Sequence, residues 1–248
     1  MCRVLRMKIH ILSDLHLEHN TKLETIGDDS PDADVLVLAG DIVDGKILAS
    51  NRHVFNTFME SAKKKYPNIV YVYGNHEYYY SPCLLKDIPS TRMVKRVGDV
   101  SFVCATLWPD ASQADVAIAI LSTDGNYNKI KGFNLDIISD MHHADKEFII
   151  EHAENETRRG QKVVIVSHFM PSYVCVRETF VGHSLNPAFV TPMDDVIMEF
   201  SPAAWIFGHT HNSVDKIFHN GKTRMVSNPR GYPWSVNREF DKFKLIEI

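Results

Sequence analysis

Five short apolar runs in this chain break off in the same way. They are "KIHILSDLH" (8–16), "DVLVLAGDIVD" (34–44), "IVYVYGNHE" (69–77), "VVIVSHFMP" (163–171) and "AAWIFGHTH" (203–211). Each holds four or five residues rich in Val, Ile, Leu or aromatics, and then turns abruptly polar. Such continuous runs read as strands buried on both faces. Between them lie helical patterns. Residues 50–65 begin with the cap candidates Ser50 and Asn51 and end in lysines, which suit a helix C-terminus. Residues 136–159 carry Ile137, Met141, Ala144, Phe148 and Ile149 near one face, with Gly160 as the stop. A shorter helix is expected at 193–200.

The C-terminal part changes style. "SVDKIFHNGKTRMVSN" (213–228) places two extended segments around Asn220-Gly221, a hairpin signal. "SFVCATLW" (101–108) and "FKLIEI" (243–248) also read as strands. Alternating strands and helices followed by hairpins predict an α/β protein. Two mixed sheets pack face to face and helices flank them, giving a four-layer α-β-β-α sandwich.

Composition bounds this picture without redirecting it. The 248 residues are 44% hydrophobic and 23% charged, which fits a single globular domain over 1–248 with one large core. Residues 1–6 precede the first strand pattern and read as a loose extension. A net charge of −4 disfavours binding to long nucleic acid. Cys2, Cys83, Cys104 and Cys175 show no CxxC spacing, so they read as reduced thiols. The basic N-terminus is too short in its apolar run for a signal peptide, and no stretch approaches the ~20 apolar residues of a spanning helix. The expectation is a cytoplasmic protein with no membrane association.

The polar residues at the strand ends carry the chemistry. In open α/β sheets, ligands bind beyond the carboxyl ends of the strands. Here those ends bear Asp14 and His16, Asp41 and Asp44, Asn75 and His76, His168, and His209 and His211. Taken singly, an Asp past a strand is more often a turn residue than a ligand. Five such ends at one relative place are a different matter. Gly40, Gly74 and Gly208 stand next to them, where small residues permit tight turns. Imidazoles with carboxylates and an amide form a nitrogen/oxygen donor set, which suits Mn, Fe or Zn over soft metals and over Mg or Ca. So many donors exceed one tetrahedral ion, and two divalent ions sharing a carboxylate would use seven of them.

The ordered series "SDLH", "GDIVD", "GNHE", "VSH" and "GHTH" resembles the calcineurin-like metallophosphoesterases, and it spans residues 13–211. "SNPRGYPW" (227–234) is similar to a stretch of small bacterial and phage members. The resemblance implies that Asp14, His16 and His211 hold one ion and that Asn75, His168 and His209 hold the other, with Asp41 bridging. It implies that His76 ligates neither, but sits beside the scissile phosphate and assists the leaving group, with Asp44 orienting it or a bridging water. The implied activity is hydrolysis of small phosphodiesters or nucleotides by attack of a metal-bridging hydroxide on phosphorus, with Mn foremost among the metals.

Arg230 is a candidate phosphate ligand or a structural ion-pair residue. Tyr78, Tyr79 and Tyr80 are candidates for packing under a loop or for a wall against a base or aryl group. Protein phosphatases of this superfamily carry Arg-Gly after the second aspartate of the "GD" block, whereas Asp44 is followed by Gly45 and Lys46. That departure favours a small phosphoester substrate over a phosphoprotein. The alternatives are a phosphomonoesterase on the same metals, a nuclease, and a metal-holding interaction scaffold. The intact ligand set argues against the scaffold.

Overall fold

The structure is a computed structural model, and it describes residues 6–19, 25–27, 29–88, 91–123 and 125–248. Apart from Arg6, the expected N-terminal extension lies outside the described residues, as does Cys2. The apolar runs form β1 (Lys8–Leu12), β2 (Val35–Ala39) and β3 (Ile69–Val72), which pair in parallel in the order β1-β2-β3. Two helices lie between β2 and β3: α1 (Gly45–Ser50) and α2 (His53–Lys65).

The second sheet begins with β4 (Met93–Val97) and β5 (Val100–Cys104), an antiparallel pair. The helices α3 (Ala114–Ser122) and α4 (Leu135–Arg158) follow, then β6 (Lys162–Val166), α5 (Asp194–Phe200) and β7 (Ala204–Phe207). A hairpin, β8 (Val214–Ile217) with β9 (Arg224–Ser227), completes this sheet in the order β4-β5-β6-β7-β9-β8. A small ribbon, β10 (Gly231–Tyr232) with β11 (Ser235–Val236), stands apart. β12 (Leu245–Glu247) returns to the first sheet and pairs antiparallel with β1.

The two-residue period of the strands separates the layers. Ile9, Ile11, Val35, Val37 and Val70 point toward Phe102, Val164, Val166 and Ile206 of the facing sheet. Residues of opposite parity point outward. Leu36 and Leu38 meet Phe58 and Ala62 of α2, while Ile165, Trp205 and Met225 meet Ile149 and Ala153 of α4 and Ile197 of α5. This is the expected four-layer α-β-β-α arrangement, with all of these side chains buried. Among the described residues, no helix is long and apolar enough to cross a membrane.

The helix expected over 50–65 is α2, which starts three residues later, and a short helix that was not expected, α1, precedes it. Asp44 Oδ1 accepts the Ile47 N–H at 2.8 Å and caps α1. Ser50 closes that helix instead of opening the next, and α2 starts at His53 without a side-chain cap. The strand expected over 101–108 stops at Cys104.

Candidate metal centre

The parallel strands deliver their polar residues to one end of the sandwich. Asp14 and His16 follow β1, Asp41 follows β2, Asn75 and His76 follow β3, His168 follows β6, and His209 and His211 follow β7. Five of these eight positions have left-handed backbone: Asp14 (φ 51°), His16 (47°), Asp41 (53°), His209 (73°) and His211 (51°). Asp and His tolerate that region better than branched residues, which is one reason these residue types can stand there. Each such turn swings a side chain off the strand axis and into the cluster, at a cost of order 1 kcal/mol or more. Gly40 has φ +86°, and a Cβ there would run into the His168 ring. A Cβ on Gly74 would collide with Asp41 Oδ1 and the same ring.

The donors converge as two adjoining groups. Asp14, His16 and His211 form the first. His16 Nε2 lies 3.1 Å from His211 Nε2, and His211 Nε2 lies 3.3 Å from Asp14 Oδ1. Asp41, His168 and His209 form the second, with His209 Nδ1 at 3.2 Å and Asp41 Oδ2 at 3.4 Å from His168 Nε2. Asn75 Oδ1 approaches the same His168 nitrogen at 3.1 Å. Its amide is oriented by Tyr79, because Asn75 Nδ2 donates to Tyr79 Oη at 2.7 Å. His168 Nδ1 bonds the carbonyl of Ala39 at 2.9 Å, which leaves Nε2 for the cluster. Asp41 also reaches a third group with His16 and His76.

Electrostatics test whether this cluster fits cations. Asp14 and Asp41 are almost wholly buried, and their ion pairs are to histidines. Burial works against the Asp41 charge, yet His168 and His76 hold its carboxyl well below the usual range. Burial likewise opposes charge on His168, but Asp41 and Asp14 raise it to about 9. Burial and the His168 charge together depress His209 to about 3. Imidazole nitrogens facing each other at 3.1–3.2 Å across buried carboxylates are a donor set suited to divalent metal.

His76 lies beside the cluster. Its Nε2 shares a 2.9 Å hydrogen bond with Tyr232 Oη and is 3.9 Å from Asp41 Oδ2. Its Nδ1 faces Glu18 Oε1 at 3.4 Å, and the same oxygen lies 3.3 Å from His16 Nδ1. Burial opposes protonation of His76, but Asp41 and Glu18 outweigh it and raise its pKa. Burial opposes the charge on Glu18 too, and contacts with the two histidines bring it down to about 2.

Two residues expected to assist also have other surroundings. Asp44 Oδ1 caps α1 within electrostatic reach of His76 and Glu18, and the carboxylate in contact with His76 Nδ1 is Glu18. Arg230 does not line the cavity above the cluster, and its Nη1 is buried with no hydrogen-bond partner among the described residues. Of the tyrosine run, Tyr78 is packed in the core, Tyr79 lines the cavity while holding Asn75, and Tyr80 is 55% exposed. Packing thus accounts for Tyr78, while Tyr79 borders the cavity.

Sequence reasoning missed Glu18, Glu77 and Tyr232. Glu77 accepts the backbone N–H groups of Asp41, Ile42, Val43 and Gly74 and the Tyr71 hydroxyl, so it ties the end of β2 to the end of β3. The signal for Glu77 was its place in "GNHE", a carboxylate directly after the candidate ligands. Glu18 stands two residues past His16. Tyr232 lies in the stretch singled out for Arg230.

The cavity over the cluster has a volume of about 350 Å³. Asp41, Asn75, His76, His209 and His211 belong to its lining, and so do apolar residues of the 170–190 loop.

A sequence profile of the calcineurin-like phosphoesterases matches residues 7–213. An uncharacterized protein of Acanthamoeba polyphaga mimivirus is 23% identical over 97% of this chain and 96% of its own length. Among solved structures, the phosphopantetheinyl hydrolase of Mycobacterium tuberculosis superposes with a TM-score of 0.70 at 18% identity, covering 97% of this chain and 95% of that one. A dimetal phosphatase from Danio rerio gives 0.52 at 13% identity, covering 89% and 86%.

Proposed function

Since the chain belongs to the calcineurin-like phosphoesterase family, a family of metal-dependent phosphoester hydrolases, we propose that it cleaves small phosphodiesters, nucleotides among them, with two divalent ions, manganese foremost. One observation carries this reading. Two buried carboxylates, Asp14 and Asp41, have histidines as their ion-pair partners, and a further histidine, His76, stands beside them at the cavity floor.

Asp14, His16 and His211 would hold one ion, and Asn75, His168 and His209 the other, with Asp41 as the shared carboxylate. When bound, the ions would polarise the phosphoryl oxygens and activate water for attack. The remaining work falls to side chains. Glu18 holds the His76 ring from Nδ1, so that Nε2 and its proton face the cavity. Tyr232 Oη keeps that proton directed until the ester oxygen replaces it, and His76 then donates to the departing alkoxide. Asn75, fixed by Tyr79, presents its oxygen and not its nitrogen.

The diester preference rests on charge. A monoester dianion calls for cationic forks beyond the metals. Gly45 follows Asp44 where an arginine would stand, and Arg230 is off the cavity lining. Arg177 lines the cavity but donates to Asn212 Oδ1 at 3.1 Å.

The test is metal analysis followed by kcat/KM for bis(p-nitrophenyl) phosphate, a 2′,3′-cyclic nucleotide, p-nitrophenyl phosphate and a phosphopeptide, each with Mn²⁺, Zn²⁺ and Mg²⁺. A phosphopantetheinyl diester joins the panel because one structurally similar protein is a phosphopantetheinyl hydrolase. Two ions per chain and a faster diester are expected. One ion under saturating Mn²⁺ would remove the dinuclear centre. A tenfold advantage for the monoester or the phosphopeptide would remove the diester preference.

A further inference from the structure

The cavity has two chemically different sides. Its floor is the donor cluster and His76. Part of its wall is hydrocarbon, Met170, Val176, Phe180, Leu185, Phe189 and Val190, set beside the polar residues Asn126, His183, Asn186, Thr210 and Asn212. All six apolar residues come from one loop between β6 and α5. The ends of that loop are tied. Met170 and Val190 form a parallel bridge, the Met170 N–H donates to the Phe189 carbonyl, and the Thr191 N–H donates to the Met170 carbonyl. One-turn helices at Tyr173–Cys175, Glu178–Phe180 and Asn186–Ala188 keep the span between them compact. The hydrocarbon begins at the cluster itself, because the Phe189 ring lies 4.9 Å from the His209 ring.

A phosphoryl group needs donors and cations, and it gains nothing from six apolar neighbours. Water against such a wall is poorly satisfied, so an apolar substituent that displaces it is favoured. A sugar is favoured less along that stretch, since hydroxyls pressed against Met170, Val176 and Val190 lose hydrogen bonds to water, while the nearby Asn186 Nδ2 already donates to the Phe180 carbonyl and His183 Nδ1 accepts from the Leu185 N–H. The cation of this region, Arg177, bonds Asn212 and is exposed, so it sits at the water side of the wall. Phe180 is 47% exposed, which carries the apolar surface out to the mouth.

We propose that the 170–190 loop forms a subsite for an aliphatic substituent, making the substrate a small phosphodiester with one hydrocarbon-rich arm lying along Met170, Leu185 and Val190. This rests on the phosphoesterase reading above and narrows it away from nucleotides.

The experiment uses the Mn²⁺-loaded protein and n-alkyl p-nitrophenyl phosphates from methyl to octyl, with thymidine 5′-(p-nitrophenyl phosphate) as the polar comparison. kcat/KM is expected to rise about two- to fourfold per methylene, toward the limit for full burial, and then to level off. Leu185→Asp should lower the octyl-to-methyl ratio. A flat series, an equal loss for both esters in Leu185→Asp, or a tenfold preference for the thymidine ester would overturn the subsite. Binding of methyl- to octylphosphonate, measured by calorimetry on the same protein, separates the two claims. If no diester is turned over, the diesterase reading fails, while phosphonate affinity that does not grow with chain length overturns the subsite on its own.

Discussion

Asn75 is held by its nitrogen, which leaves its oxygen for the cluster. A similar division of labour runs through the site, where one atom of a residue is anchored and the other presented. It separates two substitutions at neighbouring positions. Asp41→Asn removes the shared carboxylate, so metal content and activity should fall together. His76→Ala should keep the metal and slow turnover by about 10²–10⁴, the usual worth of a positioned proton donor. Equal metal loss in both, measured by elemental analysis beside kcat, would show that His76 is a ligand. Glu18 makes a second contrast. Glu18→Gln should weaken metal affinity or activity by about 10–100-fold, because it removes the charge behind both His16 and His76. Asp44→Asn keeps the cap of α1 and should affect kcat less than Glu18→Gln does. The reverse order would return the partnership with His76 to Asp44. At this scale the candidate ligands were legible because each stands just past the end of an apolar strand. Glu18 and Tyr232 were not, because contact with His76 depends on where a 3₁₀ turn and a short ribbon aim their side chains.

Among the elements, α4 shows how a helix is fixed to the sheet it covers. Glu156 near its end accepts from Arg96 Nε and Nη2 of β4, both at 2.6 Å, from Ser101 Oγ of β5 at 2.7 Å and from Arg159 Nη1 at 2.6 Å. The bond to Arg96, with Ser101 and Arg159, brings its pKa from 4.5 down to about 2. A depressed carboxylate stabilises the fold fully above its unfolded pKa, and that contribution is lost as pH falls through the folded value. Glu156→Gln should therefore lower stability near neutral pH by about 1–2 kcal/mol in denaturant titration. The gap from the parent should close between about pH 4.5 and 2. A gap that persists at the acid end would mean that the loss is one of packing. α4 itself was legible from its long apolar period and from Gly160. α3 was not. It exposes Ile118 and Leu121 as well as burying Val116 and Ile120, so its sequence shows no polar face to mark a helix. β4 was hidden too, since Lys95 and Arg96 break the apolar run that identified the buried strands.

The whole molecule divides the candidate donors between its two sheets. Asp14, His16, Asp41, Asn75 and His76 follow strands of the four-stranded sheet, whereas His168, His209 and His211 follow strands of the six-stranded one. That two sheets exist was legible from the short apolar runs, but which strand belongs to which sheet was not. β12 comes last in the chain and pairs with the first strand, and β9 sits between β7 and β8, placements decided by tertiary packing alone.

This division bears on how the protein folds and how long it stays folded. Each proposed ion would draw donors from both sheets, so neither sheet alone carries a complete site. A transition state in which the sheets have not yet docked has nothing for an ion to bind. Mn²⁺ should then act as a kinetic lock, slowing escape from the native state without hastening arrival. At a concentration about a hundred times the Kd of each site, mass action stabilises the native state by about 2.7 kcal/mol per ion. Stopped-flow denaturant jumps should show nearly all of this as unfolding slowed about 100-fold for each ion bound, with refolding almost unchanged. Refolding accelerated by that factor would instead mean that the seam between the sheets closes before the barrier is crossed.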